Sequence, residues 1–116
     1  MKKLLLSTLM LCALWASATT YYISPTGNDG TGTGSISQPW KTLAKATSTV
    51  TTPSDIIHVN AGTYLETVQC FLSPGVSIEG DGVTSVIQST WPWSFQGALV
   101  LTSPEGTNGN QHITNI

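Results

Sequence analysis

The chain has 116 residues, with four basic and six acidic side chains and a formal charge of −2. It holds no arginine, so it lacks the clustered Lys and Arg that neutralise phosphates, and nucleic-acid binding is disfavoured.

The amino terminus reads "MKKLLLSTLMLCALWASATT". Lys2 and Lys3 make a basic start, Leu4 to Trp15 an apolar run, and Ala16-Ser17-Ala18 a small-residue cleavage site. That order describes a secretory signal peptide over residues 1–18. The apolar run is shorter than the about 20 residues that span a bilayer, and bulky Leu11 before Cys12 argues against a lipid anchor. The expected product is secreted or displayed at the cell surface, with no membrane anchor of its own. Cleavage after Ala18 leaves a single domain, residues 19–116, with two lysines against six acids and one cysteine, Cys70. No intramolecular disulfide can then form. A small secreted domain without one has a thin core, so it needs a repeating core or a longer chain.

"TTYYIS" (19–24) is rich in β-branched and aromatic residues and predicts a short strand ended by Pro25. "TGNDGTGTGS" follows, a run of turn formers. Its glycines match no phosphate-binding pattern and no lysine follows them, so it reads as a surface loop. Pro39 suits a first helical turn. Trp40, Leu43, Ala44, Thr47 and Val50 keep a helical rhythm, with Lys41, Lys45 and Ser48 opposite. A helix from Pro39 to about Val50 is predicted, ended by "TSTVTT" and Pro53.

Beyond Pro53 come "DIIHV", "ETVQCF", "VSIEG", "SVIQS", "GALVL" and "HITNI", short apolar-alternating runs separated by turns such as "NAGTY", "SPGVS" and "GDGVT". Such short strands without tight hairpin signals fit a solenoid of stacked coils. A β-sandwich is the structural alternative.

The order "YYISPTGNDGTGTGSISQPWKTLAKA", "DIIHVNAGTYLETV", "GVSIEGDGVTSVI" resembles the opening of right-handed parallel β-helix proteins of the pectate-lyase-like superfamily. The resemblance implies an all-β fold, a right-handed parallel β-helix with a short amino-terminal capping helix. Trp40, Leu43 and Val50 would plug the bore, with Lys41 and Lys45 in solvent. Ser54 to Tyr64 would lead into the first coil, Ser54 standing where glycine is usual, and Val76 to Gly82 would form the second-coil strand and turn. Because "QHITNI" stops inside a strand-like run, the chain is expected to be truncated, representing the cap and first coils.

Enzymes of this fold commonly cut acidic polysaccharides by β-elimination, using a cation such as Ca²⁺ and a Lys or Arg base; hydrolases use paired carboxylates. Here Asp29, Asp55, Glu66, Glu79, Asp81 and Glu105 are mostly isolated. Glu79 and Asp81 fall on one face if extended, but their glycine neighbours favour a solvated turn. His58 is expected to point outward as a surface residue. No catalytic and no metal-binding residue is assigned, and Ca²⁺ belongs only to what the resemblance implies for a full-length protein. Trp91 and Trp93, with Phe95, are the candidate carbohydrate-binding residues, since flat rings stack on sugars; packing against the coils is the structural alternative. The expected function is binding or cleavage of extracellular polysaccharide, as a lyase of acidic sugars whose catalytic coils are absent from this chain, itself inactive. The alternative is a non-catalytic, adhesin-like or structural cell-surface β-helix.

Overall fold

A computed structural model describes residues 17–90, 99–102 and 110–116. The segment read as a signal peptide falls outside the described residues except for Ser17 and Ala18. In chain order the elements are β1 (Thr20–Ile23), α1 (Leu43–Thr49), β2 (Ile56–Val59), β3 (Gly62–Glu66), β4 (Cys70–Leu72), β5 (Ser77–Gly80), β6 (Ser85–Ser89), β7 (Leu99–Leu101) and β8 (Ile113–Thr114). The described chain is thus mostly strand with one short helix. None of its helices is long and apolar enough to cross a membrane.

Every pair between these strands is parallel. One sheet has the order β1-β2-β5-β8, a second pairs β3 with β6, and a third pairs β4 with β7. β1 pairs with β2; from β2 onward strands next to each other in sequence go to different sheets, and β2, β3 and β4 each pair with the strand three places later. Parallel pairs need long crossovers rather than hairpins, which is why the turns between the runs carry no tight hairpin signature. The antiparallel pairing expected of an ordinary sandwich is absent among the described strands.

The alternation seen in the sequence sets the faces. Ile57 and Val59 point inward from β2 and are buried, while His58 between them is half-buried on the outer side. Inward residues stack in register from strand to strand: Tyr21, Ile57, Ile78 and Ile113 form one column. All three sheets feed a single core. Ile23, Ile57, Val59 and Ile78 of the first sheet meet Tyr64 of the second and Cys70 and Leu72 of the third. Each fully buried Ile, Val or Leu contributes about 1.5–3 kcal/mol. A one-residue slip would turn a whole column to solvent, so the alternation also fixes the register.

α1 closes one end of this core with Leu43, Ala46 and Val50, all buried. Its start differs from the expected one. Pro39 and Trp40 are not helical: the Trp40 amide donates to Tyr22 O at 3.1 Å and its carbonyl accepts the Ser24 amide at 2.8 Å, so this segment lies extended along β1. Trp40 is still buried, but it packs by stacking on Tyr21, ring centroids 5.5 Å apart, and its Nε1 donates to Gly32 O at 2.9 Å. The helix begins only after Thr42, whose Oγ1 accepts the Lys45 amide at 3.1 Å as the N-cap. Lys41 is exposed as expected, whereas Lys45 is half-buried.

Two further boundaries differ. "NAGTY" is not simply a turn, because Gly62, Thr63 and Tyr64 already belong to β3, and "ETVQCF" divides between the end of β3 and β4. Gly62 has φ of 145° and lies against the Pro25 ring, a close approach that only glycine permits. Ser54 has φ of 77°, the left-handed conformation that glycine usually fills.

Candidate functional site

The outer face of the four-stranded sheet gathers the polar chemistry of the described chain. Register places Tyr22, His58, Glu79 and Thr114 side by side across β1, β2, β5 and β8. Two residues further along from Glu79 comes Asp81, just past β5. His112 lies two residues before Thr114. Diagonal pairs join them: His58 Nε2 and Asp81 Oδ1 are 2.9 Å apart, and His112 Nε2 and Glu79 Oε1 are 2.9 Å apart. The Tyr22 ring lies 5.3 Å from the His58 ring, tilted by 50°. His58 therefore points outward as expected, and its partner is a carboxylate.

Asp81 is in a turn, yet it is fixed. Its Oδ2 accepts the Ala61 amide at 2.9 Å, and its own amide donates to Ser85 Oγ at 2.8 Å, which in turn donates to Val59 O at 2.8 Å. The Ala61 amide first, then the hydrogen bond from His58, hold the Asp81 carboxyl below its ordinary pKa. On β8's side the His112 amide donates to Ser77 Oγ at 3.1 Å, and Gln111 Nε2 donates to Ser73 O at 2.6 Å. Beside this face runs a groove of about 330 Å³ lined by Pro53, Ser54, Ile56, Gly75, Ser77, Asn110 and His112.

The three remaining described acidic side chains serve structure, in ways the sequence reading missed. Asp29 is not isolated: its Oδ1 accepts the Lys41 and Thr42 amides at 2.7 and 3.1 Å, and its Oδ2 accepts Thr42 Oγ1 at 2.8 Å. Glu66 is buried, and it accepts the Leu43 and Ala44 amides at 2.7 and 3.2 Å. These are amides that the first turn of a helix leaves without intrahelical partners. Asp55, also buried, accepts the Thr19 amide at 3.0 Å. A signal for Glu66 was present in "TYLET", where it shares alternation parity with inward Tyr64 and so had to face the core.

Cys70 and Tyr64 are buried beside these groups and are held protonated. Burial, then the nearby Glu66 carboxylate, pushes the Cys70 thiol up to about 12; burial, then Asp81, pushes the Tyr64 hydroxyl up to about 12. Neither supplies a nucleophile at neutral pH, since a thiol reacts as thiolate. Tyr64 instead donates to Asn60 O at 2.8 Å or Ile23 O at 3.0 Å.

The glycine-rich loop is built on side-chain turns. Asn28 Oδ1 accepts the Gly30 and Thr31 amides at 2.8 and 3.0 Å. Among the described residues no group of three or more His, Cys, Asp or Glu side chains is placed to hold a metal ion. Trp91 and Trp93, the carbohydrate candidates, lie outside the described residues, as do Phe95 and Glu105.

The outer face presents two His–carboxylate pairs, a hydroxyl from Thr114 and a half-buried aromatic ring at Tyr22. No curated protein and no solved structure matches the chain. Residues 25–91, more than half of the chain, match the model of a protein family of unknown function, DUF1565, and the chain belongs to that family.

Proposed function

We propose that this chain forms the cap and first coils of a right-handed parallel β-helix of the pectate-lyase-like superfamily, exported through residues 1–18 and acting on extracellular polysaccharide. The observation that carries the fold is the in-register column Tyr21–Ile57–Ile78–Ile113, part of one core that all three parallel sheets share and that α1 closes at one end. Solenoids need such a terminal cap. The resemblance extends the reading to acidic sugars cleaved by β-elimination, with Ca²⁺ as the cation that chemistry commonly uses. Binding is the part these residues support best. Trp91 and Trp93 follow β6 in the sequence and supply flat faces for sugar rings.

A specific observation favours a second, non-catalytic reading as an adhesin-like or structural β-helix. The described carboxylates are all engaged: Asp29 and Glu66 in the helix cap, Asp55 on the Thr19 amide, Glu79 and Asp81 on histidines. Tryptophan fluorescence against a panel of acidic and neutral polysaccharides tests the binding reading, because buried Trp40 should be silent. A spectral shift is expected that disappears in Trp91→Ala or Trp93→Ala while circular dichroism is unchanged. Absence of any shift across the panel overturns it, and release of unsaturated uronate by the bound chain would decide for cleavage.

A further inference from the structure

One buried carboxylate is met by the residue at which export would cut the chain. Asp55 stands just before β2 and shares alternation parity with inward Ile57 and Val59, and it is 6 % exposed. Its Oδ1 accepts the Thr19 backbone N–H at 3.0 Å. Among the described residues no lysine or histidine pairs with it. A buried charge without a counter-charge is costly.

Both partners are held in place independently of that contact. The Thr19 carbonyl accepts the Ile56 amide at 2.9 Å, and β1 begins at the next residue, in register with β2. The Asp55 amide donates to Thr52 O at 3.2 Å, and its carbonyl accepts the Ser77 amide at 3.1 Å. The ladder of β1, β2 and β5 therefore sets the distance between nitrogen and carboxylate. Ser17 and Ala18, which precede Thr19, are exposed.

We propose that removal of residues 1–18 turns this contact into an ion pair that locks β1 onto β2, with Asp55 as the receptor of the new amino terminus. The inference rests on the export reading. An export peptidase hydrolyses the Ala18–Thr19 bond with one water. The Ala18 carbonyl carbon takes the oxygen and leaves with the leader as a carboxylate, and the freed Thr19 nitrogen becomes an amine. An α-amine has an ordinary pKa of about 7.7–8.0, so it takes up a proton at neutral pH. A neutral hydrogen bond thereby becomes a charge-assisted one, roughly twice as strong, and the buried carboxylate gains its counter-charge. The processed chain is then more stable than any form in which the Thr19 nitrogen remains an amide.

The test uses four exported chains: the natural one, one with a serine inserted between Ala18 and Thr19, and each of these with Asp55→Asn. Mass spectrometry reads where each begins, and denaturant unfolding reads its stability. The inserted serine carries the ammonium one residue away and leaves the Thr19 nitrogen an amide that can still donate. The natural chain should begin at Thr19, and the insertion should raise its unfolding constant about tenfold. In the Asp55→Asn background the same insertion should change that constant by about twofold or less, the non-additivity that marks a direct pair. Should Asp55→Asn not fold, acylation decides: the Thr19 amine of the natural chain should react several times more slowly than the serine amine of the inserted chain. A natural chain that begins elsewhere overturns the export boundary and the pair with it. A chain that begins at Thr19 yet is indifferent to the insertion, loses as much from it in Asp55→Asn, or shows equal acylation rates overturns the pair alone.

Discussion

Glu66, at the end of β3, holds the first turn of α1: its Oε1 accepts the Leu43 amide at 2.7 Å and its Oε2 the Ala44 amide at 3.2 Å. The carboxylate is 2 % exposed, so its charge is met inside the protein by helix amides rather than by water. Hydrogen bonds to an ionised acceptor are stronger than neutral ones. This contact ties the cap to the strands it covers.

Removing it should loosen the cap. Glu66→Ala leaves the two amides without their acceptor and is expected to destabilise by about 1–3 kcal/mol. Leu43→Asp, which puts an unpaired charge into the core beside Glu66, should cost several kcal/mol. Lys41→Ala, on the exposed side, should change stability by about 0.5 kcal/mol or less. Denaturant melts of the three variants check the ranking, and equal losses would contradict a capping role for α1.

Ser54 offers a change in the opposite direction. Its φ of 77° is a left-handed conformation that costs a side-chain-bearing residue about 1–2 kcal/mol, while glycine there loses about 0.4–1 kcal/mol more backbone entropy on folding. Ser54→Gly is therefore expected to stabilise by about 0.5–1 kcal/mol by the same two terms. A lower denaturation midpoint would show that the serine side chain contributes more than the backbone strain it carries.

Acid should weaken the Asp81 turn. The folded carboxyl has a lower pKa than the unfolded one, held down first by the Ala61 amide and then by His58. Its stabilisation is present above the unfolded value of about 3.9 and is lost as pH falls through the folded value. Wild type should therefore exceed Asp81→Asn in stability at neutral pH, and the gap should close in strong acid. A gap that stays constant from neutral to strongly acid pH contradicts the assignment.

Local alternation carried much of the fold. Ile57 and Val59 against His58, and Ile78 against Glu79, announce strand and face directly, whereas the left-handed backbone of Ser54 was not read from the sequence, where the resemblance marked it only as standing where glycine is usual. The helix start was misread because Pro39 and Trp40 fit a helical rhythm locally. Their backbone is claimed by β1, and Asp29 and Glu66, 13 and 23 residues away in sequence, decide where the first turn begins. The diagonal pairs His58–Asp81 and Glu79–His112 were hidden for the same reason. Each joins residues on different strands, and only the parallel register brings them together.

Parallel stacking around one core underlies every functional reading above, and interstrand NOEs test it most directly. Methyl contacts from Ile57 to Ile78 and from Ile78 to Ile113, with Tyr64 to Ile87 and Cys70 to Leu99, are expected in a parallel pattern. Contacts between strands adjacent in sequence, β2 with β3 or β5 with β6, running antiparallel as hairpins, would contradict it.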